Sequence, residues 1–126
     1  MYRCLALAAA LSTLHAAAPA QVQRQFPADA LRGDIEFLQP PEIRLNRRDA
    51  RLAPGSRIRA QDNMMQMSGS LIGSKWAVNY TVDTIGLVRD VWLLRPEEIG
   101  IRPWPRTVVE AKAWSFDPVT QRWSKP

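Results

Sequence analysis

Residues 75–95 constrain the fold of this chain more than any other stretch. Trp76, Val78, Tyr80 and Val82 alternate with Ala77, Asn79, Thr81 and Asp83, the two-residue period of a β-strand. β-branched and aromatic residues dominate, as a pleated and half-buried surface favours. Asp83-Thr84-Ile85-Gly86 follows. Asp suits the first position of a turn, and Gly86 suits the left-handed position of a type I turn with a G1 bulge. The stretch therefore reads as a β-hairpin in which Val82 faces Val88, Tyr80 faces Asp90, Val78 faces Trp92 and Trp76 faces Leu94. In that register Trp76, Val78, Tyr80, Val82, Val88, Trp92 and Leu94 share one face. Two strands alone are marginal in water, so the rest of the chain is expected to cover that face.

The start of the chain reads as a secretory signal peptide. Met1-Tyr2-Arg3 is positive, Cys4 to Leu14 is apolar, and Ala18-Pro19-Ala20 offers small residues for cleavage. The apolar run is shorter than the roughly 20 residues a membrane span needs. With residues 1–20 assigned to the signal, no transmembrane segment is expected in the mature chain, and localisation is periplasmic or secreted. The only cysteine, Cys4, and the only histidine, His15, fall inside this leader. The mature chain is thus expected to lack thiol and imidazole. That excludes disulfides, the usual zinc sites and the Ser-His-Asp and Cys-His nucleophile systems. No cofactor is implied.

Residues 21–30 are polar with one proline and read as a flexible lead-in. A single β-rich domain is assigned to 31–126. Leu31 to Leu38 is a first strand with Ile35 and Phe37 inward and Asp34 and Glu36 outward. Arg32-Gly33-Asp34 spells an adhesion tripeptide, three common residues that also coincide by chance. Pro40-Pro41 ends the strand. Glu42 to Ala60 is a second strand pair or a meander, turned at Asn46-Arg47-Arg48-Asp49 and again, as a type II turn, at Ala53-Pro54-Gly55-Ser56. Arg44, Arg47, Arg48, Arg51, Arg57 and Arg59 crowd this region. They form either a basic face for an anionic partner or the solvated side of two strands. Nucleic acid is not expected, because the arginines lack interleaved aromatics for base stacking.

Met64, Met65 and Met67 place three thioethers within four residues. Soft sulfur suits Cu(I) or Ag(I); flexible methionines also plug the ends of small cores. Pro96 and Gly100 bracket one helical turn. Thr107 and Glu110 form a capping box that opens a short C-terminal helix to about Trp114. Trp104, Trp114 and Trp123 lie in the tail, either as an aromatic strip for a glycan or peptide or as a strap over the sheet.

Several segments resemble a known group. Pro40-Pro41-Glu42-Ile43, Ala50 to Arg59, Gln66-Met67-Ser68-Gly69, Val78-Asn79-Tyr80-Thr81 and Asp90-Val91-Trp92 together look like a family of small exported proteobacterial proteins, of the kind found in Burkholderia relatives. The resemblance implies export and a compact β fold, and it carries no activity and no site residues.

The sequence thus predicts a mainly β protein, a small antiparallel barrel or rolled sheet of about five or six strands with a short C-terminal helix. Its expected role is a non-enzymatic binding or assembly module of the cell envelope, with an envelope protein or an anionic envelope component as partner. The alternatives are a Cu(I) or Ag(I) carrier using the methionines, and an enzyme using Asp90 and Tyr80 for acid–base work.

Overall fold

The computed structural model describes residues 22–126. The expected signal over 1–20, with Cys4 and His15, lies outside these residues. The fold is mainly β. Strands β1 (Leu31–Phe37), β2 (Glu42–Leu45), β3 (Arg48–Arg59), β5 (Lys75–Val82) and β6 (Val88–Leu93) close a barrel. Going round it, β1 pairs with β2, β2 with β3, β3 with β6, β6 with β5, and β5 with β1. The run β5-β1-β2-β3 is a Greek key. Strand β4 (Met65–Gln66) extends the sheet beside the end of β3. The barrel is mixed rather than wholly antiparallel, because β3 and β6 run parallel. Helices α1 (Pro96–Ile99) and α2 (Val108–Ala113) follow, and the chain then forms a small hairpin of β7 (Ser115–Asp117) and β8 (Arg122–Ser124). Thr107 caps α2 as expected, its hydroxyl accepting from the Glu110 amide at 3.1 Å. The segment around Phe116 to Thr120 is the heart of that hairpin.

Local chemistry explains each reversal. Asn46 and Arg47 both have positive φ, 52° and 66°, and Leu45 pairs with Arg48. That is the two-residue hairpin loop whose twist suits the flanking strands. Asn46 is pinned across to β1, where its Oδ1 accepts from the Asp34 amide at 3.0 Å. The Ala53-Pro54-Gly55-Ser56 turn does not reverse the chain. Gly55 has φ +73° as a type II turn requires, but these residues bulge out of one continuous strand between Leu52 and Arg57. In the β5–β6 turn Gly86 has φ 88°, and Asp83 Oδ1 accepts from the amides of Ile85 and Leu87.

Beyond that turn the predicted register fails by one residue. Val82 faces Val88, but Thr81 faces Asp90, Tyr80 faces Val91 and Val78 faces Leu93. Arg89 is the extra residue of a β-bulge. Thr81 holds it in place: its hydroxyl donates to Asp90 Oδ2 at 3.1 Å and accepts from the Asp90 amide at 3.2 Å. Every later side chain of β6 therefore changes sides. Val91 and Leu93 enter the barrel beside Val78 and Tyr80, with Ile35, Phe37, Ile43 and Ile58. Trp92 and Leu94, expected on that same face, go to the outside.

There a second core forms. Phe26, Ala30, Leu94, Trp104 and Trp123 are buried together, with Trp92, Trp114 and Phe116 at its margin. Phe26 meets Trp92 and Trp104 edge-to-face, at 5.6 and 5.7 Å between ring centres, the arrangement aromatic quadrupoles prefer. The 21–30 segment, expected to be loose, is packed from Arg24 onward: Arg24, Phe26 and Ala30 are buried. Gln121 clamps it, accepting from the Phe26 amide at 2.9 Å while its own amide donates to the Pro118 carbonyl at 3.0 Å.

Thr81→Val keeps the shape of a buried side chain and removes both hydrogen bonds of the bulge. We expect a loss of about 1–3 kcal/mol, the cost of orphaning a buried donor. Urea unfolding followed by tryptophan emission measures it.

Candidate functional site

A polar layer separates the two cores. Arg24 Nη2 and Nε donate to the Glu98 carboxylate, and Nη2 also donates to the Leu93 carbonyl at 2.8 Å. Both side chains of this ion pair are almost wholly buried, at 4% and 6% exposure. Burial alone would raise the Glu98 carboxyl. Hydrogen bonds from Arg24 and the Arg95 amide, with the charges of those two arginines, more than reverse this and hold it below its ordinary range. Beside this pair, Arg32 Nε donates to Asn79 Oδ1 at 2.8 Å, and its terminal nitrogens reach the carbonyls of Glu98, Ile99 and Ile101 at the end of α1. The Asn79 side-chain NH₂ is buried without a partner among the described residues.

Arg32 also forms the back of a cleft. Its guanidinium lies 5.2 Å from the Trp104 ring centre, a cation–π contact. The cleft, of about 560 Å³, is walled further by Arg102, Arg106, Glu110, Trp114 and Lys125. Arg102 and Arg106, exposed on either side of the buried Trp104 in the chain, both line the cleft. Lys125 sits over Trp114, 5.3 Å from its ring centre. Arg106 donates to Asp34 Oδ2 at 3.2 Å and Asn46 Oδ1 at 3.1 Å. Arg102 and Lys125 have no carboxylate within ion-pair distance among the described residues. Four cations therefore converge on a space with one carboxylate, Glu110. Burial first, then the charges of Arg102 and Arg106, bring the Arg32 pKa down to about 10, with Glu98 acting in the other direction. An anion placed here would relieve that repulsion.

The residues singled out in the sequence fall elsewhere or only partly here. Trp104 and Trp123 are 5% exposed and belong to the outer core, so the three tail tryptophans do not form a surface strip. Only Trp114, half-buried, borders the cleft with a free margin. The six arginines do not form one face. Arg44 faces Asp49 and Arg51 faces Glu42 across β2 and β3, and Arg51 is bridged to Glu42 at 3.0 Å. Arg44 and Arg47 line a second cleft, Arg59 borders a third, and Arg48 and Arg57 lie exposed along β3. In that third cleft the other cations are consumed internally: Arg24 by Glu98, and Arg95 by the carbonyls of Gln61 and Val22. Met64, Met65 and Met67 are 55–81% exposed on and beside β4, so they plug no core. Among the described residues no group of three or more His, Cys, Asp or Glu side chains converges as a metal site. Asp90 and Tyr80 are separated by the shifted register; Asp90 serves the bulge and Tyr80 the barrel interior. Arg32 is 8% exposed, which removes Arg32-Gly33-Asp34 as a presented adhesion sequence.

Sequence reasoning missed Arg32, Arg102, Arg106 and Lys125. The signal for two of them was the Arg-Pro-Trp-Pro-Arg spacing. Nothing local marked Arg32 or Lys125, which the tertiary fold brings in. No family model, curated protein or solved structure matches the chain. No helix among the described residues is long and apolar enough to cross a membrane.

Glu98→Gln keeps the shape and removes the charge. Leaving Arg24 buried without its counter-ion should cost about 3 kcal/mol. Because the folded-state pKa of Glu98 is depressed, its contribution is complete above the ordinary carboxylate range near 4.5 and is lost as pH falls below it. The stability difference between wild type and Glu98→Gln should therefore shrink on acidification from neutral pH. Urea unfolding across pH measures both.

Proposed function

We propose that this protein is a non-enzymatic binding module of the cell envelope, and that the cleft of Arg32, Arg102, Arg106 and Lys125 holds an anionic group of its partner. The observation that carries the reading is four converging cations against one carboxylate, three of them without an ion-pair partner among the described residues. Guanidinium groups are planar and pair with carboxylate or phosphate through two parallel hydrogen bonds. Trp104 and Trp114 supply low-dielectric walls, which strengthen such contacts. Three of the cations are held before any ligand arrives: Arg32 by four hydrogen bonds, Arg106 by Asp34 and Asn46, Lys125 by the indole. Preorganisation of this kind lowers the cost of binding.

The non-enzymatic part of the reading follows from the groups on hand. Arginine stays protonated and serves poorly as a base. Glu110 is the only carboxylate lining the cleft among the described residues, and its side chain lies near the Thr107 hydroxyl at the helix cap. The envelope location rests on the leader at 1–20.

Inorganic pyrophosphate titrated into the purified protein at low salt tests the cleft. Wild type should bind with an affinity that falls as salt is added. Arg102→Gln with Lys125→Gln should weaken binding by about tenfold or more, with an unchanged melting temperature because both side chains are exposed. Unchanged affinity in this variant, or no binding by wild type, would sink the reading.

A further inference from the structure

We propose that the partner is an extended acidic polysaccharide, which fills a second cleft as well as the first and crosses between them over Arg106 and Asp34. This rests on the anion-binding reading above and goes further in naming the ligand's class and its path. The second cleft, of about 400 Å³, opens on the outer face of β2, β1 and β5, with Arg44, Arg47 and Lys75 among its walls. The Arg106–Asp34 bridge is the wall the two clefts share: Arg106 lines one and Asp34 the other.

Charge singles out this pair of clefts. Residues 21–126 carry sixteen basic and twelve acidic side chains, a surplus of +4. Seven of the cations and three of the acids line the two clefts. The rest of the chain holds nine of each and is neutral. The whole surplus thus lies along one track, and a compact anion would meet only half of it. Arg47 stands there at the tip of a hairpin whose loop is pinned by Asn46 to β1.

The composition of the track selects the kind of chain. Asp34, Glu36 and Glu110 are interspersed with the cations. A polymer with a phosphate at every unit would meet them with repulsion. A sugar chain with one carboxylate per ring offers its charge to the guanidiniums and its hydroxyls to these carboxylates as donors. One half-buried indole, Trp114, stands at the first cleft to take the apolar face of a ring.

Calorimetric titration of the purified protein with galacturonate oligomers tests this, with galacturonate monomer, maltohexaose, pyrophosphate and a six-unit polyphosphate as comparisons. The hexagalacturonate should bind at least about tenfold more tightly than the monomer, since a second cleft filled by the same chain adds avidity. Maltohexaose should not bind. Arg47→Gln with Lys75→Gln should abolish the gain of the hexamer and leave pyrophosphate binding and the melting temperature unchanged. A hexamer no tighter than the monomer, or indifferent to that variant, would overturn the proposal while leaving the single anion cleft standing. Tighter binding of the polyphosphate would overturn it in favour of a phosphate polymer. Failure of every anion to bind would remove this proposal and the anion-binding reading together.

Discussion

One extra residue in β6 decides the architecture. The Thr81 hydroxyl grips Asp90 at both its amide and its carboxylate, and Arg89 is squeezed out of the ladder. From that point the apolar side chains of β6 serve two cores. Val91 and Leu93 fill the barrel, while Trp92 and Leu94 found a second cluster on its outside. Without the bulge, Trp92 would crowd a barrel interior built for valine and leucine, and the tail would have no apolar surface to cover. The outer cluster draws in Phe26, Trp104 and Trp123, and in doing so it lays the Arg102–Arg106 segment along Arg32. The basic cleft is therefore a product of that strand irregularity.

Buried ionic groups are costly, and this chain accepts them between its two cores. Arg24 and Arg32 lose water but recover hydrogen bonds: to the Glu98 carboxylate in one case, and to Asn79 and the carbonyls ending α1 in the other. A hydrophobic layer would seal the same seam at similar or lower free energy. What the arginines add is direction. Each fixes α1 against β1, β5 or β6 through bonds that only one arrangement satisfies. Arg32 also faces outward enough to set the potential of the cleft behind Trp104. The same side chain is thus both a seam and a charge.

Much of the fold was legible from local pattern. The period-two runs located β1, β2 and β5 within a residue or two, and Asp83 with Gly86 gave the right turn. Thr107 with Glu110 gave the right helix. The hairpin register was not legible, because it is set by a hydroxyl–carboxylate clamp rather than by hydrophobic alternation; the alternation of β6 reads equally well on either side of Arg89. Ala53-Pro54-Gly55-Ser56 has true turn chemistry, yet the parallel pairing of β3 with β6 carries the strand straight through it. The candidate site was the least legible part. Its cations come from positions 32, 102, 106 and 125, brought together only when the tail folds back. The arginine-rich stretch that looked like a surface in the sequence is divided by the closure of the barrel, with Arg44 and Arg51 set opposite acids of the neighbouring strand.

Gln121 has a consequence of a different kind. Its amide meets the backbone of Phe26, ninety-five positions away, and Trp123 packs into the cluster that holds Phe26. The outer layer cannot close until Gln121 and Trp123 have been synthesised, and closing so large a loop carries an entropic penalty that local contacts do not repay in advance. Until then the barrel strands stand with one aromatic flank uncovered. The barrel can thus form before the segments around Phe26 and Gln121 are joined across it.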